Sequence, residues 1–152
     1  MISKVRPRRS RLYSSNTPDA RATAIVNDSH RNRVILAVDD APENLDIVKS
    51  LLASRYTVKA AINGPMALKI VAKQPPDLIL LDIQMPGMYG YEVCRRLKSD
   101  PVTSAIPVIF LIGESGVESE VAAAGGTDYV TKPVAPDVLT STIEKQLADR
   151  SW

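Results

Sequence analysis

Four groups capable of joint chemistry stand directly after short strand-like runs: Asp39 and Asp40 after VILAV, Asp82 after LILL, and Lys132, with Pro133 behind it, after DYVT. Clustered carboxylates repel and raise one another's pKa unless a cation offsets them. Mg²⁺ suits such a cluster, because it takes a few carboxylate oxygens together with phosphate and water. A lysine beside them adds a second, fixed positive charge. The combination fits phosphoryl transfer to a carboxylate, where catalysis consists mainly of in-line positioning and neutralisation of the equatorial oxygens. Asp82 is then the candidate nucleophile, provided that the fold gathers all four.

The elements that must do so are legible from Arg33 onward, where short apolar runs alternate with amphipathic stretches, the pattern of an α/β domain with a parallel sheet. Strands are expected at Val34 to Val38, near Tyr56 to Ala60, at Asp77 to Asp82, at Pro107 to Ile112 and at Asp128 to Val130. VILAV is apolar on both faces, as a doubly covered parallel strand should be. Between the strands, Leu45, Val48, Leu51 and Leu52 recur at helical spacing over Glu43 to Ser54. Gly64-Pro65 opens a second helix with Met66, Leu68, Ile70 and Val71, which Pro75-Pro76 stops. A third places Tyr91, Cys94 and Leu97 on one face, and a short Ala-rich fourth within Val117 to Ala124 ends at Gly125-Gly126. The last spans about Asp137 to Asp149 with Val138, Leu139, Ile143 and Leu147 inward. In an open parallel sheet the site lies beyond the carboxyl ends of the strands, where strand order reverses. A strand order 2-1-3-4-5 makes the first and third strands neighbours and brings Asp40 beside Asp82.

At 152 residues and 45% hydrophobic content, the chain suffices for one core but hardly two. One cysteine, Cys94, excludes an intrachain disulfide and fits a reducing, cytoplasmic location. Its apolar runs fall far short of the roughly 18 residues a spanning helix needs, so no transmembrane segment is expected. Net charge is only +2, but residues 1–33 carry eight Lys or Arg against two Asp, leaving eleven against fifteen acidic residues in the remainder. Residues 1–32, including RPRRSR at Arg6 to Arg11, show neither helical nor strand periodicity and read as a basic, disordered tail. Residues 33–149 form the expected domain, and 150–152 the C-terminal end. The tail could touch nucleic acid or anionic lipid, but no folded nucleic-acid motif accompanies it and no DNA-binding domain is expected.

Each candidate has a plainer structural reading. An acidic pair after a strand can cap the next helix, and Asp82 can start a turn before Pro86-Gly87. Lys132 can be a solvated surface lysine and Tyr129 an edge aromatic. Taken together, the four at the ends of the first, third and fifth strands favour a site.

Four segments, in order and close to family spacing, carry a resemblance: AVDDAPENL (Ala37 to Leu45), PDLILLDIQMPGMYGYE (Pro76 to Glu92), IPVIF (Ile106 to Phe110) and DYVTKP (Asp128 to Pro133). From Arg33 to about Leu147 the chain resembles the receiver domain of two-component response regulators, in a stand-alone form. The resemblance implies a flavodoxin-like, doubly wound sheet of five parallel strands with five helices. It implies that Asp82 takes phosphate from a sensor histidine kinase or a phosphotransfer protein. Asp40 would bind Mg²⁺ directly, Asp39 directly or through water, with Asp82 and the Gln84 backbone carbonyl completing the protein ligands. Lys132 would hold a phosphoryl oxygen, aimed by a cis peptide to Pro133, a geometry that proline permits. Tyr129 matches the family's switching aromatic.

Two departures stand out. The family places Thr or Ser at the end of strand four, where this chain has Ile112 followed by Gly113. A hydrogen bond to a charged group contributes about 1.5 to 3 kcal/mol, so the bias toward an active conformation is expected to be weaker or differently wired. Ser115 is a substitute donor only if its loop folds back. The stretch from Ile112 to Lys132 is also one or two residues short, which abbreviates the fourth helix. The expected function is a phosphoacceptor whose output is binding of an unidentified downstream protein. The alternatives are a phosphate-independent adaptor, a protein directed to nucleic acid or membrane by its tail, and an enzyme using an aspartyl intermediate. The last would need a substrate cap for which the chain has no insertion. A sheet edge or the fourth helix is a candidate surface for a homodimer.

Overall fold

The structure, a computed structural model, describes residues 33–83, 85, 90–113 and 118–148. Five strands, β1 (Val34–Val38), β2 (Thr57–Ala61), β3 (Leu78–Asp82), β4 (Val108–Ile112) and β5 (Asp128–Thr131), alternate with five helices. The helices are α1 (Pro42–Leu52), α2 (Gly64–Lys73), α3 (Gly90–Lys98), α4 (Glu118–Ala123) and α5 (Pro136–Ala148). All strand pairs are parallel, in the order 2-1-3-4-5 expected from the sequence.

Alternation along the strands explains why the sheet is covered on both sides. Leu36 and Val38 of β1, Ile79 and Leu81 of β3, and Phe110 and Ile112 of β4 face one core. Against them pack Ala67 and Val71 of α2, Val93, Cys94 and Leu97 of α3, and Val121 of α4. The alternate residues Ile35, Ala37, Leu78, Leu80, Ile109 and Leu111 face the second core, closed by Leu45, Val48 and Leu52 of α1 and Leu139, Ile143 and Leu147 of α5. Each Val, Leu, Ile or Phe side chain among them stabilises the fold by roughly 1.5 to 3 kcal/mol through removal from water. The sheet is therefore a rigid platform, and only the strand ends are left for chemistry.

Most boundaries shift by one or two residues. Thr131 joins β5 because it pairs with Ile112, and β2 starts at Thr57, opposite Val34. One inward residue is corrected. Val138 is 50% exposed, whereas Leu139, Ile143, Gln146 and Leu147 are buried. Successive helical residues are about 100° apart, and the inward stripe starts at Leu139, which leaves Val138 beside it in solvent. The end of α4 follows its glycines: Gly125 takes φ +93, and the Gly125 and Gly126 N–H groups donate to the carbonyls of Ala122 and Val121 at 3.0 and 2.9 Å. This is the Schellman arrangement that satisfies the last carbonyls of a helix. No described helix is long and apolar enough to cross a membrane.

Candidate functional site

Parallel register sets the site. Val38 lies opposite Leu81 and Asp82 opposite Leu111, so β1 runs out into Asp39 and Asp40 beside the last residue of β3. Asp39 and Asp82 are buried, at 3% and 5% exposure, and Asp40 is exposed. Carboxylate oxygens of all three lie within 4.8 Å of one another. Lys132 enters from β5, its backbone N–H donating to the Ile112 carbonyl at 2.8 Å, and its bond to Pro133 is cis. The Lys132 Nζ donates to Asp82 Oδ1 at 2.9 Å and stands 3.8 Å from Asp39 Oδ2.

The capping explanation of the acidic pair does not hold for this geometry. The N-cap of α1 is Ala41, without a side-chain cap, and Pro42 opens the helix. Asp39 is instead held in place: its Oδ1 accepts the Ala41 N–H at 2.9 Å, and its Oδ2 accepts from Asn44 Nδ2 at 3.2 Å. Asp82 is not a turn residue but the buried end of β3.

Burial pushes the Asp82 carboxyl above the ordinary carboxylate range, opposed by its hydrogen bond to Lys132 and reinforced by the neighbouring charges of Asp39 and Asp40. Among the described residues one ammonium, that of Lys132, faces three carboxylates, which leaves the cluster short of positive charge. Three hard oxygen donors at this separation match the chemistry of a small divalent cation.

Tyr129 and Ile112 do not join the cluster. Ile112 is fully buried in the core shared with α2, α3 and α4. Tyr129, opposite Phe110 in register, is 37% exposed. Gln84, Ser115 and the basic tail lie outside the described residues.

Two residues that position the site were not singled out from the sequence. Asn44 orients Asp39, as above, and lies within the AVDDAPENL segment. Gly90 opens α3 directly under the end of β3, with its N–H donating to the Ile83 carbonyl at 2.8 Å. A Cβ there would stand 2.4 Å from the Asp82 carbonyl oxygen and 3.0 Å from the Ile83 Cα. Its signal was the second glycine of PGMYG, readable as a turn but not as a contact with β3.

With this geometry in view, residues 35–144 match the family model of the response regulator receiver domain. Protein PilH of Pseudomonas aeruginosa is 37% identical over 117 residues, which cover 75% of this chain and 97% of PilH. A Vibrio cholerae protein named as a cyclic di-GMP phosphodiesterase is 47% identical over 118 residues, 76% of this chain but 27% of that protein. Response regulator PleD of Caulobacter vibrioides is 43% identical over 103 residues, 66% of this chain and 23% of PleD. The chain thus spans about a quarter of the length of these last two relatives. Among solved structures, the chemotaxis protein CheY4 of Vibrio cholerae matches with a TM-score of 0.71 and 30% identity, covering 74% of this chain and 97% of that one. Fold, strand-end residues and family model agree: the chain belongs to the response-regulator receiver domain family of two-component signalling.

Proposed function

We propose that this chain accepts a phosphoryl group on Asp82 from a phosphohistidine of a sensor kinase or phosphotransfer protein, and signals by binding a further protein. The observation that carries this is the Lys132 ammonium, 2.9 Å from Asp82 Oδ1 within a trio of carboxylates. An Asp82 oxygen forms the new bond to phosphorus as the bond to the donor imidazole breaks, and the electron pair leaves with the imidazole. Lys132 is placed to hold a phosphoryl oxygen and to limit repulsion between the incoming anion and Asp82. Asp39, Asp40, Asp82 and the Gln84 carbonyl would hold Mg²⁺, which when bound neutralises charge on the transferring group. Asn44 keeps Asp39 oriented for that role. A cytoplasmic setting suits both the donor and the buried Cys94 thiol, which burial pushes up to about 11.

A second reading, a phosphate-independent adaptor, is favoured by Ile112 alone, because a buried isoleucine offers no hydroxyl to a phosphoryl group. Transfer of radiolabel from a phosphorylated histidine phosphotransfer protein separates the two. The phosphoacceptor reading expects label on the wild type and none on Asp82→Asn. Label on neither, across a panel of donors, leaves the adaptor.

A further inference from the structure

Beside the aspartate cluster a cleft of about 240 Å³ opens between α1 and the segment after β5. Asp39 and Lys132 stand on its lining, and Ile47, Val48, Leu111 and Val134 contribute apolar wall. Val48 and Leu111 are buried, but Ile47 is 54% exposed, so an apolar wall meets water beside a charged pair. A ligand suited to this cleft has an anionic head for Lys132 and a short hydrocarbon body. Lys132 joins the two places, since its Nζ contacts Asp82 and the residue also lines the cleft.

We propose that the cleft seats the hydrocarbon chain of a small acyl phosphate, making a short-chain acyl phosphate such as butyryl phosphate a better direct phosphodonor than acetyl phosphate. The inference rests on Asp82 being the acceptor. An Asp82 oxygen bonds to phosphorus, the bond from phosphorus to the bridging oxygen breaks, and its electron pair departs with the acyl group as a carboxylate. No proton or co-reactant is needed. Acetate and butyrate are leaving groups of near-equal acidity, so the two donors differ in hydrocarbon and hardly in intrinsic reactivity. Full burial of one methylene corresponds to about fourfold in rate constant. A cleft open on one side should realise part of this, about three- to tenfold for butyryl over acetyl phosphate.

The test is the initial rate of phosphorylation of the full chain, followed by intact mass at equal, sub-saturating donor concentrations with Mg²⁺, for acetyl, propionyl and butyryl phosphate. The expected result is a rate rising with chain length in the wild type and a butyryl-to-acetyl ratio near one in Ile47→Asn, whose site is exposed enough to tolerate the change. Transfer from all donors at equal rates overturns the cleft while leaving Asp82 as acceptor. An undiminished ratio in Ile47→Asn also overturns it. Transfer from none overturns the cleft, and overturns the acceptor reading with it when phosphohistidine donors also fail to label Asp82.

Discussion

Asp82 is held in a compromise between burial and pairing, and that compromise has a sign. Its folded-state pKa is raised, chiefly by burial, so the folded chain holds this proton more tightly than the unfolded chain does. The contribution to stability is therefore full below the ordinary aspartate value of about 3.9 and is lost as pH rises through the folded value. At neutral pH, without Mg²⁺, the ionised group costs stability. Asp82→Asn is expected to raise the melting temperature at pH 7. The gain should vanish toward pH 3, and Mg²⁺ should stabilise the wild type more than the variant. Thermal melts at both pH values check this, and an equal gain at both would contradict it. At this scale the sequence was informative where a charged residue ends an apolar run, as Asp39 and Asp82 do, and Lys132 was legible through the DYVTKP segment. Asn44 was not legible, because its role depends on which way a side chain in the first turn of α1 points.

The elements act by bringing backbone ends close, and Gly90 marks the tightest approach. Gly90→Ala would set a Cβ against the backbone of Asp82 and Ile83, and backbone cannot rotate away as a side chain can. The expected loss is about 1 to 3 kcal/mol in urea denaturation, with weakened phosphorylation because the end of β3 moves. An unchanged midpoint would show that α3 yields freely. On α5, Ile143→Ala is expected to cost about 2 to 5 kcal/mol, whereas Val138→Ser should stay within about 0.5 kcal/mol. Equal losses would place Val138 in the core after all. Strand existence was legible because the apolar runs are short and separated by turn residues; order and pairing came only from the requirement that Asp40 meet Asp82 and from the family resemblance. The exact face of α5 was not, since Val138 and Leu139 are both apolar and only packing decides between them. Gln146, buried in the structure, has no apolar signal at all.

Across the whole molecule, the site and the β5 edge are joined through β4, and Ile112 sits in that path. Its side chain is packed in the core, while Tyr129 stands exposed one strand away. Phosphorylation is accordingly expected to leave the Tyr129 amide resonance nearly unshifted in the wild type, and Ile112→Thr to enlarge the shift by restoring a hydroxyl at the end of β4. A large shift already present in the wild type would show that coupling uses another path. The central claim concerns the acceptor itself, and intact mass after incubation with Mg²⁺ and acetyl phosphate tests it most directly. A gain of one phosphoryl group, absent from Asp82→Asn and absent without Mg²⁺, is the predicted result. A wild type left unmodified here and by a panel of phosphohistidine donors, or equal modification of the Asp82→Asn variant, would contradict it.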